Sequence, residues 1–94
     1  MAKTYRHKEK PADEKYNGWA NWSTWNAYNW LTSEESVYDA VRNAIKDVSG
    51  FHGVKWIREN AFLIVDMHDM TEDDRSKVDF VELYKAFAED RVIG

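Results

Sequence analysis

Apolar and polar positions along this chain fall mainly into the three-to-four-residue spacing of amphipathic helices. The clearest run is Val37, Tyr38, Val41, Ala44, Ile45 and Val48, with Glu34, Glu35, Asp39, Arg42, Asn43, Lys46 and Asp47 elsewhere on the wheel. Ahead of it, Thr32-Ser33-Glu34-Glu35 has the form of a capping box, with Thr32 at the cap and Glu35 reaching back. Gly50 stands where a left-handed residue would end this helix. Phe51-His52-Gly53 then reads as a short connector.

Upstream, Asn17-Gly18 marks a turn, and Asn21 or Ser23 can cap a helix over residues 23–32. On that helix Trp30, Ala27, Leu31, Thr24, Tyr28 and Trp25 sweep an arc of about 220°, roughly twice what a surface helix needs. Only Asn26, Asn29 and Ser33 form a polar strip. Such a helix is either contacted on several sides within the fold or partly reserved for another molecule.

Downstream, residues 54–67 carry apolar positions on two faces. Val54, Ile57, Ala61, Ile64 and Val65 share one face, and Trp56, Leu63 and Met67 share another. Phe62 to Val65 would suit a buried strand, but no partner strand is visible, so helix is the expectation. Thr71 to Lys77 reads as a short helix with acid at its start, where the macrodipole favours carboxylates. Asp79 caps a last helix to about Asp90, with Glu82 three residues on and an apolar stripe of Phe80, Leu83, Tyr84, Phe87 and Ala88. The expected fold is all-α, a compact bundle of four to five short helices. It comprises one helical domain over residues 16–94 behind a flexible basic tail, residues 1–15.

Ninety-four residues make one domain with a small core, and the 15% aromatic content helps such a core cohere. Without cysteine there is neither a disulfide framework nor a thiolate metal site. The chain shows no bilayer-spanning apolar run and no signal peptide, and a cytoplasmic location is the expectation. Asn21-Trp22-Ser23 is formally a glycosylation sequon, read as coincidence in that compartment. Charge is divided along the chain. Residues 1–15 carry five basic and three acidic side chains; residues 16–94 carry eight and fourteen, for a whole-chain net of −4. An acidic body argues against a phosphate-binding surface.

Four of the five tryptophans, Trp19, Trp22, Trp25 and Trp30, lie within a dozen residues. Gly18-Trp19, Asn21-Trp22, Thr24-Trp25-Asn26 and Trp30-Leu31 resemble the opening signature of a small uncharacterised domain family of phages, plasmids and microbial genomes. Val78-Asp79-Phe80-Val81-Glu82-Leu83 is similar to that family's closing motif, which opens a final helix. The resemblance covers about Tyr16 to Asp90. Tyr28 and Asn29 depart from it, standing where the family tends to be aliphatic. It implies an all-helical domain and an origin in a phage or other mobile element, and it implies no reaction.

The tryptophans can form a partner-binding hot spot or a stacking platform for single-stranded nucleic acid. The favoured reading is a core around Trp25 and Trp30, with Trp19 and Trp22 stapling the preceding loop onto it. The acidic run Asp66, Asp69, Glu72, Asp73 and Asp74 fits helix capping better than a cation site, because it lacks EF-hand spacing. Of His7, His52 and His68, none has a second histidine at ligand spacing, so no metal and no cofactor is expected. No phosphate loop or nucleophile motif appears, and no enzyme is expected.

The function expected from these features is a non-enzymatic interaction domain that binds a host or viral protein, as an inhibitor or modulator. Its contacts would be the most exposed of Trp19, Trp22, Asn26 and Asn29, with Asp69, Asp73 and Asp74 beside them. The alternative is a nucleic-acid accessory protein using Lys3, Arg6, Lys8 and Lys10 of the tail beside exposed aromatics. The wide apolar helix also suits burial in a homodimer.

Overall fold

Asn17 and Gly18 both take positive φ, 52° and 84°. That is the type I′ geometry that Asn-Gly favours, because Gly has no Cβ to clash and Asn tolerates the left-handed region. The turn closes a minimal hairpin in which Tyr16 and Trp19 exchange both backbone hydrogen bonds, at 2.9 and 2.8 Å. It folds Trp19 back over the helix that follows. A computed structural model describes residues 15–89. The expected tail thus lies almost wholly outside the described residues.

Five helices follow the hairpin: α1 (Trp22–Thr32), α2 (Glu35–Ile45), α3 (Gly50–Ile64), α4 (Glu72–Ser76) and α5 (Phe80–Ala88). The all-α expectation holds. Helices α1 and α3 each pack on both α2 and α5, and α2 also packs on α5. The core is an aromatic chain across these layers. Trp19 lies on Tyr28 of α1 at 4.8 Å, Tyr28 meets Phe87 of α5 edge-on at 5.0 Å, and Phe87 meets Tyr38 of α2 at 5.6 Å. Leu31, Val41, Ile57, Met67 and Leu83 fill the spaces between, all fully buried.

Helix α1 is buried around most of its circumference. Ser23, Thr24 and Asn26 are buried along with Trp22, Ala27, Tyr28 and Leu31, and Asn29 alone is exposed. The anticipated core is inverted. Trp19 and Trp22 are buried, whereas Trp25 and Trp30 are only half-buried at its edge. The reason is the hairpin, which wheel arithmetic cannot see because Trp19 precedes the helix. Trp25 instead packs edge-on against Tyr16 at 5.0 Å.

Three boundaries also differ from the expectation. Thr32 does not cap α2. Its Oγ1 donates to the Tyr28 carbonyl at 2.7 Å, and Ser33 Oγ donates to the Trp30 carbonyl at 2.9 Å. Both hydroxyls finish α1, and Glu34 occupies the α2 cap without a side-chain bond. Gly50 does not end α2, which stops at Ile45; it opens α3 behind the Ser49 cap. Phe51-His52-Gly53, expected as a connector, is the first turn of α3. That helix then runs through Ile64, so Phe62 to Ile64 are helical as expected, but Val65 is extended and Val65 to Met67 fall outside the helix expected over residues 54–67.

The second α3 glycine serves a close approach. A Cβ built at Gly53 would stand 2.7 Å from Tyr84 Cδ1 of α5, inside van der Waals contact. Gly53→Ala sets two effects against each other. Helix propensity favours alanine by about 1 kcal/mol, while overpacking costs about 1–3 kcal/mol. A net loss of about 1 kcal/mol is expected in urea unfolding. In a Tyr84→Ala background the same change becomes neutral or stabilising, because the clash is gone.

Candidate functional site

The polar residues of the Trp-rich segment converge on one stretch of chain, residues 66–82. Asn21 caps α1, its Oδ1 accepting from the Thr24 backbone N–H and from Thr24 Oγ1, both at 2.8 Å. Its other end, Nδ2, donates to the Lys77 carbonyl at 2.8 Å. Thr24 Oγ1 in turn accepts from the Asp79 N–H at 2.9 Å. The Ala20 N–H donates to Glu82 Oε1 at 2.9 Å. Glu82 therefore does not complete the capping box expected at α5. Asp79 keeps its half, accepting from the Glu82 N–H at 3.0 Å.

One turn further along α1, Asn26 Nδ2 donates to both oxygens of Asp69, at 3.1 and 3.2 Å. Trp30 Nε1 donates to Asp69 Oδ1 at 2.8 Å, and its ring meets His68 edge-on at 5.0 Å. Asn26 is only 5% exposed, so this bond satisfies a buried amide. The segment is held from its other side by Arg75, whose guanidinium donates to the Met67 carbonyl at 3.0 Å and lies 5.1 Å from the Phe62 ring centre. Asn21, Thr24, Asn26 and Trp30 thus latch the loop before α4, the end of α4 and the start of α5 onto α1.

This arrangement relocates most of the sequence-derived contact residues. Trp19 and Trp22 are core side chains with almost no exposed surface, and Asn26 is buried against Asp69. Asp74 closes a capping box with Thr71, each bond 3.0 Å. Asp73 is exposed and pairs with Lys77 one turn on. Asn29 is exposed. Within the acidic run, Asp69 therefore serves the latch and Asp74 the cap of α4. His52 is exposed and bonded to Ser49 Oγ at 2.9 Å, and His68 is exposed beside Trp30; His7 lies outside the described residues. Among the described residues no group of three His, Cys, Asp or Glu is placed to hold a metal ion. No described helix is long and apolar enough to cross a membrane.

The two most exposed large apolar side chains lie elsewhere, on the outer face of α3. Phe51 is 74% exposed and Leu63 is 79% exposed. Between them on the same i, i+4 row stand Lys55 and Glu59, which pair at 2.7 Å and are both about half exposed. Beside this row is a shallow depression of about 260 Å³, lined by Ala44, Val48, His52, Lys55, Trp56 and Glu59. The sequence carried a partial signal for this face, since Trp56 and Leu63 lie off the packed side of α3. Phe51 was hidden because its segment read as a connector.

A hairpin-capped five-helix domain, latched at the loop before its fourth helix, is the class of protein these features define. The chain belongs to a family of unknown function, DUF7249, whose model matches residues 12–90. No curated protein and no solved structure matches it.

Proposed function

We propose that this is a non-enzymatic protein-interaction domain, encoded by a phage or other mobile element and acting in the host cytoplasm. Its contact surface is the outer face of α3 rather than the Trp-rich segment. The observation that carries the reading is the exposure of Phe51 and Leu63 on one helix, next to a depression lined in part by Trp56. Large apolar side chains on a rigid element are the usual anchors of a protein interface. Support also comes from the latch, because the Asn21 and Asn26 amides, the Thr24 hydroxyl and the Asp69 carboxylate are already engaged within the chain. The acidic balance of residues 16–94 favours a protein partner over nucleic acid.

The test is retention of a partner by the tagged full chain, compared with the variant Phe51→Ala/Leu63→Ala, with nuclease and salt controls. A polypeptide held stoichiometrically by the wild type, copies of the chain itself included, should be lost from the variant at least tenfold. Both side chains are exposed, so the variant keeps its fold, which far-UV circular dichroism checks. Equal retention by the two proteins overturns the surface assignment. Recovery of nuclease-sensitive material alone overturns the protein-interaction reading in favour of nucleic acid.

A further inference from the structure

The outer row of α3 is self-complementary. Phe51, Lys55, Glu59 and Leu63 follow at steps of four, so they form one continuous ridge about 18 Å long on the helix surface. Its ends are apolar and its middle carries one charge of each sign. Ile57 is the centre of the row in sequence: Phe51 and Leu63 are six positions from it, Lys55 and Glu59 are two. A two-fold axis through the surface midpoint between Lys55 and Glu59, on the side of the helix away from buried Ile57, reverses the row. Phe51 then meets the partner's Leu63, and Lys55 meets the partner's Glu59.

We infer that the partner of this face is a second copy of the same chain, with α3 crossing its equivalent antiparallel about a two-fold axis. The inference rests on the reading of α3 as the contact surface and names what occupies it. In a two-fold contact, residue i touches j and j touches i, which is the pairing this row supplies twice over. Ridges at steps of four pack into the grooves between like ridges, with the helices crossing at about −50°. The groove that would receive the partner's ridge exists. It is the depression beside this row, lined by Lys55 and Glu59 of the row, by His52 and Trp56, and by Ala44 and Val48 from α2 and the turn after it. Charge agrees with the geometry. The in-chain pair of Lys55 and Glu59 becomes a ring of four alternating charges, with no like-charged neighbours brought together. A partner of uniform charge would leave one of these two residues facing its own sign.

A single helix crossing is smaller than a standard interface of about 1,600 Å², so the pair should dissociate on dilution. Sedimentation equilibrium of the full chain tests it, over a span of about 5 to 500 μM chosen to bracket a weak dimer. The average mass should rise from that of one chain to that of two. Phe51→Ala/Leu63→Ala should stay at one throughout. Lys55→Glu alone and Glu59→Lys alone should each weaken pairing at least tenfold, and the doubly exchanged chain should recover it. The decisive arm mixes the two single variants, which should pair with each other more tightly than either pairs with itself. An effect confined to one chain's own helix is indifferent to mixing, so this arm separates pairing from helix stability. A wild type that stays at one chain's mass to the top of the range overturns the inference, as does a mixture no heavier than its components. If the chain is monomeric while Phe51 and Leu63 still decide retention of another polypeptide, self-pairing fails and the interaction reading stands.

Discussion

Trp19→Ala should lower unfolding free energy by about 4 kcal/mol, within the 3–5 kcal/mol usual for removing a large buried aromatic ring. Trp19 is 2% exposed and lies on Tyr28, the start of the aromatic chain that crosses α1, α5 and α2. Removing it leaves a cavity at the seam between hairpin and bundle, which the surrounding rings cannot close without leaving their own contacts. A domain of this length has about 5–10 kcal/mol in total, so the loss is a large fraction of it. Urea unfolding followed by tryptophan fluorescence measures the change. The same substitution tests what the Trp-rich segment is for. A surface contact would change stability by less than about 0.5 kcal/mol, and a shift that small would place Trp19 outside the core.

Asp69→Ala should cost about 3 kcal/mol, the largest effect of any change outside the apolar core. One carboxylate serves three donor contacts, two from Asn26 Nδ2 and one from Trp30 Nε1. Hydrogen bonds to a charged acceptor contribute about 1.5–3 kcal/mol, and a buried donor left alone adds a desolvation cost. Asn26 is buried, so its amide cannot turn to water when Asp69 is gone. Asp69→Asn keeps an acceptor oxygen of the same shape and should cost about 1 kcal/mol, the charge-assisted part of the interaction. Chemical denaturation gives both values. Hydrogen exchange should place the Asp69→Ala effect first in residues 66–82, since that segment loses its fastening to α1. Uniform loss of protection across all helices would mean the latch is not a separable unit.

These two residues mark where the sequence is legible. The helix elements were readable because their causes are local: the spacing of Val37, Val41 and Ile45, the Asn21 and Asp79 caps, and the acidic start of the Thr71–Lys77 segment. The boundary at residues 32–35 was not, because Thr32 and Ser33 had two equally local choices. They could close α1 or cap α2, and closing α1 leaves the capping pattern of residues 32–35 unused. Gly50 and Gly53 misled for another reason. Glycine punctuates most chains, yet here Gly53 admits the Tyr84 ring from α5, a neighbour more than thirty positions away.

The candidate site divides in the same way. Asn26 and Asp69 stood out in the sequence as polar residues worth attention, but 43 positions separate them and nothing local pairs them. They looked like two parts of a binding surface and are two halves of one internal bond. Leu63 was visible as a second apolar face of α3, whereas Phe51 was not, since its helix begins earlier than its glycines suggested.

The sequence by itself determined a helical domain of one small core, the Asn21 and Asp79 caps, the Asn17–Gly18 turn and the absence of any thiol chemistry. Each of these follows from spacing, from one residue's backbone preference, or from composition, and needs no knowledge of distant neighbours. Only the tertiary structure decided which tryptophans are buried, which amides and carboxylates are already paired, and which apolar side chains are left over. Burial depends on what the remainder of the chain places against a residue. Here a two-residue turn and a loop some forty positions downstream cover the Trp-rich segment and leave α3 with an open face.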